Sequence, residues 1–348
     1  MKKSSFGKHC IIISVLAACA LLCCALLVIV VDPFFQYHKP INGLYYQIDN
    51  KMSQNAGMAK NFDYDSVIVG SSMTVNFDTN VFAETMGLNT IKLSHDGAYA
   101  RDIDHIMEIV KDTHSNIKKV FLGIDVYIYK KGPDISATAL PTYLYDNNYL
   151  NDVSYLFNKE VILEYIVKPQ VEKEGTALNE VYWSWDEMEF GPAAVAKTYE
   201  APTEFVDSLP VDSFKGGIAA SMTECIIPYI ESMPDTDFVV FFPPYGVLYW
   251  YYRYADGSLA AEIEATKQIT EMLLEYPNVE VYYFQDQFDY ITDLNNYSDY
   301  SHYNHDMNDY MTYCFADGTH RLTKENYQQV LADMLAWLNT CDFESYIP

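Results

Sequence analysis

Five short runs of β-branched and aromatic residues, most of them separated by stretches with helical spacing, restrict this chain more than any other feature. The runs are Ser66–Val69, Thr90–Leu93, Lys119–Ile124, Phe238–Phe242 and Val279–Phe284. They are short and largely apolar throughout, as strands covered on both faces must be. Helical patterns over Tyr99–Thr113, Phe214–Met233 and Ser258–Glu275 lie between them. Such alternation predicts an α/β domain with a doubly wound, five-stranded parallel sheet and right-handed crossovers.

The N-terminal end carries a second constraint. Cys10 to Val31 is apolar except for Ser14, long enough to cross a bilayer as a helix. Lys2, Lys3 and Lys8 precede it without any acid, which predicts a cytoplasmic tail at 1–9 and a domain outside the cell membrane. No small-residue cleavage site with a polar start precedes Asp32. Leu16-Ala-Ala-Cys19 has the form of a lipoprotein box, but twelve apolar residues follow it where a lipoprotein turns polar. The expected organisation is an uncleaved single-pass anchor at 10–31, a semi-extended juxtamembrane segment at 32–60 containing Pro33, Pro40 and Gly43, and a domain at 61–348. A long insertion at about 126–213 interrupts that domain. Its Pro141–Asn148 part is expected to form small helices over the active edge of the sheet, and Tyr182–Phe190, rich in Trp and acids, a lid or rim.

Beyond the anchor the chain has 19 basic against 48 acidic residues, a formal charge of −29. That surface repels phosphate polymers, so nucleic acid is excluded as a partner, while a domain facing a cell wall or holding loose cations tolerates it. Four of the seven cysteines lie in the anchor. Cys225, Cys314 and Cys341 form an odd set without Cys-x-x-Cys spacing, expected as small buried side chains rather than a disulfide framework. Neither a His-Glu-x-x-His pattern nor a Gly-rich phosphate loop occurs, so no metal or cofactor is expected, and a nucleotide-binding protein on such a sheet would lack its cradle.

Chemistry is suggested by two distant segments. The first apolar run stops in Gly70-Ser71-Ser72, at the carboxyl end of a strand, where parallel sheets bind ligands. Gly-Ser-Ser alone is a common turn. However, Asp299-Tyr-Ser-His302 follows the last predicted strand and would return to the same sheet edge. Ser72 is then the candidate nucleophile, His302 its general base and Asp299 the carboxylate that orients the imidazole. Asp317-Gly-Thr-His320 has the same Asp-x-x-His spacing and precedes a predicted helix at Lys324–Leu338, so it competes for the role. Tyrosines concentrate at Tyr245–Tyr254, where they can pack an aromatic helix or stack on sugar or acyl groups at the rim.

These segments resemble the SGNH/GDSL hydrolase superfamily, whose nucleophile is the Ser of a Gly-Asp-Ser block after the first strand and whose Asp-x-x-His lies near the C-terminus. Val67–Phe77, Leu140–Asn148 and Asn296–Tyr303 are more closely similar to membrane-anchored SGNH proteins of Gram-positive bacteria, a group related in architecture to the D-alanyl-lipoteichoic acid transfer protein. The resemblance implies a flavodoxin-like SGNH hydrolase fold, Ser72 rather than Ser71 as nucleophile, and Asp299 with His302 rather than Asp317 with His320. It also implies an oxyanion-binding Gly, for which Gly97 is the counterpart. At the third block, where the superfamily has Gly-x-Asn, this chain has Gly123-Ile-Asp125. An ionised Asp125 cannot donate to an oxyanion and would oppose one; either it is held protonated, or it points elsewhere, or the site is impaired. The implied activity is that of an esterase or O-acyltransferase acting through an acyl-serine on a cell-envelope glycan or acylated polymer. The alternative is a non-catalytic SGNH-fold partner or glycan-binding module of an integral-membrane acyltransferase.

Overall fold

The computed structural model describes residues 3–137, 140–176 and 188–348. The chain divides into two compact units, one made of residues 1–62 and 141–181 and the other of 63–140 and 182–348. The expected insertion is therefore split, and its 141–181 part belongs with the N-terminal segment. The Tyr182–Phe190 segment, expected as a lid or rim, lies mostly outside the described residues.

In the first unit, helix Lys3–Val31 contains a 25-residue stretch from Gly7, long and apolar enough to cross a membrane, within which 18 consecutive residues reach a mean hydropathy of 3.0. Its side chains are largely exposed rather than packed into a core. The helix ends at Asp32, whose buried carboxylate accepts from the N–H groups of Gln36, Tyr37 and His38 and from the Tyr155 hydroxyl. Segment 32–60 is not simply semi-extended, because helix Lys51–Asn61 follows. That helix lacks an apolar stripe and buries Gln54, Asn55, Ala56 and Gly57 instead. A Cβ on Gly57 would lie 2.0 Å from the Phe34 carbonyl, so the absent side chain lets the two backbones touch. Lys60 Nζ closes the unit by donating to the carbonyls of Leu144 and Asp146 at 2.8 and 2.9 Å.

The second unit is built on a six-stranded sheet of β1 (Ser66–Val69), β2 (Thr90–Lys92), β3 (Lys119–Gly123), β4 (Asp237–Phe242), β5 (Val279–Tyr283) and β6 (Arg321–Leu322), in the order β2-β1-β3-β4-β5-β6. The first five are parallel, and β6 pairs antiparallel with β5. The expectation of five strands is thus corrected by one edge strand of two residues, too short to show as an apolar run. Gly318 caps the preceding helix His305–Asp317 and His320 adopts a positive φ of 65°, so the chain turns back sharply into β6.

Phe121 and Phe241 project from neighbouring strands onto Phe315 of that helix, with centroids 5.6 and 5.2 Å away, and Phe82 of helix Thr79–Met86 meets Phe121 at 4.8 Å. Burying such a ring stabilises the fold by about 2–3 kcal/mol. Helices Ala100–Thr113, Leu259–Leu273 and Tyr327–Thr340 join the run at 215–232 to form the other layer. This run, expected as one helix, changes to π-helix at Met222–Ile226, which ends two residues before Pro228. Proline has no N–H to donate to Glu224 four residues back and its ring crowds that carbonyl, which widens the turn. Cys225 and Cys314 are buried, and the cysteines are free thiols.

Candidate active site

Strand order reverses direction between β1 and β3, the place where a doubly wound sheet opens a crevice beyond its carboxyl ends. After β1 the chain turns at Gly70, with φ of 153°, into a single 3₁₀ turn at Ser72–Thr74. A Cβ on Gly70 would lie 2.7 Å from the Thr74 methyl, and one on Gly123 at the end of β3 would lie 2.5 Å from it. Two strand-end glycines therefore make the socket for Thr74. Its hydroxyl donates to the Ser71 carbonyl at 2.8 Å and lies within hydrogen-bond distance of the Ser94 hydroxyl at 2.7 Å. Ser71 is buried, and its hydroxyl accepts from Met73 N–H. Ser72 is thereby the serine turned outward.

Ser72 Oγ lies 2.8 Å from His302 Nε2, and His302 Nδ1 lies 2.6 Å from Asp299 Oδ2. Asp299 Oδ1 also accepts from the N–H groups of Ser301 and His302, at 2.7 and 2.8 Å. Burial raises the Asp299 carboxyl, but the His302 hydrogen bond and charge and these backbone donors outweigh it and hold it at about 2. An ionised Asp299 keeps the proton on Nδ1, which leaves the Nε2 lone pair free to take the Ser72 proton. The loop carrying this pair is closed by a bridge between Tyr297 and Tyr303. The Tyr303 hydroxyl donates to the Met73 carbonyl at 2.6 Å and the Tyr297 hydroxyl to the Pro244 carbonyl at 2.8 Å. Both rings are buried, so the histidine is fixed against the turn bearing Ser72.

The competing pair is elsewhere engaged. The His320 ring contacts Gln287 at 3.1 Å and the Tyr310 hydroxyl at 2.6 Å, while Asp317 accepts from Thr319 N–H.

Compared with known proteins, the chain matches no protein-family model and no curated protein.

A cavity of about 60 Å³ joins Ser72 and His302 to Gly97, Asp125, Tyr127 and Tyr245. Gly97 has a φ of 66° and open space where a Cβ would be, so its backbone presents no side chain to the cavity. Asp125 follows β3 and is buried; the Tyr245 hydroxyl donates to its Oδ1 and the Ser71 hydroxyl is bonded to it. Burial raises its carboxyl, and the two hydroxyls and His302 only partly offset this. Tyr245 stacks on Tyr249 at 4.1 Å, whose hydroxyl donates to Glu262, another buried carboxyl raised by burial.

The sequence pattern brought attention to Ser72, Asp299 and His302 and the resemblance to Gly97 and Asp125, and all five except Asp299 line this one cavity. It missed the supports Thr74, Ser94, Tyr297 and Tyr303. The signal available was the pair of glycines ending β1 and β3, which marks a close approach at two neighbouring strand ends.

Proposed function

We propose that the chain is a membrane-anchored, extracytoplasmic serine esterase or O-acyltransferase of the SGNH type, with Ser72 as nucleophile. The observation that carries this reading is the continuous run of hydrogen bonds from Ser72 Oγ through His302 to Asp299. In the first step His302 takes the Ser72 proton as Oγ attacks the ester carbonyl. The imidazolium then returns the proton to the leaving alcohol as the acyl-serine forms. Water or a glycan hydroxyl repeats the sequence and releases the acyl group, so transfer and hydrolysis differ only in the acceptor. The Ser72 N–H, at the start of its 3₁₀ turn, and the Gly97 N–H are the proposed oxyanion donors. Asp125 is proposed to be the neutral acid, because burial raises its carboxyl with hydroxyls of Ser71 and Tyr245 as its hydrogen-bond partners, and an anion there would oppose the developing charge.

The cavity of about 60 Å³ has roughly the volume of two molecules of liquid water, which favours a short acyl group. A cell-envelope glycan or polymer ester is the proposed substrate class, and the apolar helix supports this location. The reading of a non-catalytic partner drew its support from Asp125, and a neutral Asp125 removes that objection.

Labelling with a fluorophosphonate followed by peptide mapping tests the assignment. The expected adduct is on Ser72, and Ser72→Ala should lose at least about a thousandfold in esterase rate. Unchanged hydrolysis in Ser72→Ala would sink the proposal. Among p-nitrophenyl esters, kcat/KM should fall at least about tenfold from acetate to octanoate.

A further inference from the structure

The first unit carries a cluster in sequence of exposed apolar side chains that the Ser72 site does not use. Helix Val153–Leu156 and the π-helical Val161–Val167, continued by Lys168–Glu172, pack against helix Lys3–Val31. The inward side of this collar is aromatic. Phe34, three residues past the end of the apolar helix, stacks on Tyr155 at 5.1 Å and meets Tyr165 edge-on at 5.0 Å, and Val28 and Val31 in the final turn of that helix are buried. His38 lies 3.0 Å from the Ile29 carbonyl and binds the following chain to the same turn.

Outward, the collar exposes Leu163, Val167 and Val171, spaced four apart, together with Leu150, Val153 and Phe157; Leu150 is 88 % exposed and Val171 is 74 % exposed. Isolated exposed apolar residues are ordinary, but six within 22 residues are not. No excess of cations accompanies them, since Lys159, Lys168 and Lys173 stand against Asp152, Glu160, Glu164, Glu172 and Glu174 in the same segment, and Lys168 is paired with Glu164 at 3.6 Å. An anionic partner therefore has little to hold, whereas an uncharged apolar layer matches the surface.

We propose that this collar beds into the headgroup and acyl boundary of the bilayer that receives helix Lys3–Val31. Continuity carries the assignment. The collar is packed on the end of the only described helix long and apolar enough to cross a membrane, so it lies at the level where that helix would leave the hydrocarbon. Tyr149, half-exposed beside Leu150, supplies an amphipathic ring of the kind that settles at such a boundary. The inference rests on the anchor reading and is independent of the Ser72 chemistry.

The test uses the full chain in phosphatidylcholine vesicles, with Leu150→Trp and Val171→Trp. Flotation with the vesicles tests the anchor by itself, and a parent protein that fails to float overturns both statements. In floating protein, the emission added at 150 and 171 should be quenched several-fold more strongly by lipid brominated near the top of its acyl chains than by iodide in the surrounding water. Added emission that iodide quenches and brominated lipid does not would overturn the collar proposal while leaving the anchor in place.

Discussion

Asp299 uses both carboxylate oxygens within its own loop, and this has a measurable consequence. The group is held at about 2 against an ordinary 3.8, so ionised Asp299 favours the folded state by roughly 2 kcal/mol. The sign follows from a depressed carboxyl. The contribution is fully present above about pH 3.8 and is lost as pH falls through about 2. Asp299→Asn should flatten that acid loss in unfolding experiments and, by disturbing the tautomer of His302, cost at least about a hundredfold in esterase rate. Asp125 behaves in the opposite sense, because its carboxyl is raised. Its folded form loses stability as pH rises from the usual carboxylate range toward the raised value. Asp125→Asn should therefore be more stable than the parent at neutral and alkaline pH and should keep its esterase rate there; a large loss of rate with an intact fold would count against the neutral acid. The serine, histidine and carboxylate were legible because residue type, spacing and position after strands point the same way. Spacing alone did not choose which Asp-x-x-His pair faces Ser72, since both come after the last strand-like run; only the resemblance favoured Asp299 with His302. That choice is made by Tyr297 and Tyr303, whose hydroxyls reach carbonyls in segments distant along the chain.

Loop 297–303 acts as one element with two tyrosine pins. Tyr303→Phe removes the donor to the buried Met73 carbonyl and should cost about 1–2 kcal/mol, with a fall in kcat and little change in fluorophosphonate site selectivity. Phe121→Ala opens a cavity between β3, Phe82 and Phe315 and should cost about 3–5 kcal/mol in thermal or denaturant unfolding. The five parallel strands were readable from their apolar runs to within a residue at every end. Strand β6 and helix Lys51–Asn61 were not, for different reasons. The strand is set by a turn at Gly318 and His320 rather than by its own two residues, and the helix is specified by close backbone approach at Gly57 rather than by an apolar stripe. Two π-helical stretches, Val161–Val167 and Met222–Ile226, precede Pro169 and Pro228; proline placement explains the widened turns, but periodicity alone reads straight through them.

At the scale of the molecule, the residues around Ser72 all belong to the second unit, and the apolar helix belongs to the first. Deleting residues 1–31 should leave esterase activity toward small soluble esters within a few-fold of the full chain. The same deletion removes Val28 and Val31 from the packing of the first unit, so limited proteolysis should cut within 141–176 before it cuts the sheet. Loss of activity together with early cleavage of the sheet would contradict the independence of the second unit. The contact between Ser72 and His302 closes across 230 residues of chain. A ribosome makes the serine early and the histidine late, and loop closure of that length is among the slow events of folding. On the proposed mechanism the serine is therefore an ordinary alcohol throughout synthesis, and its activation would wait until nearly the whole polypeptide has been made and folded.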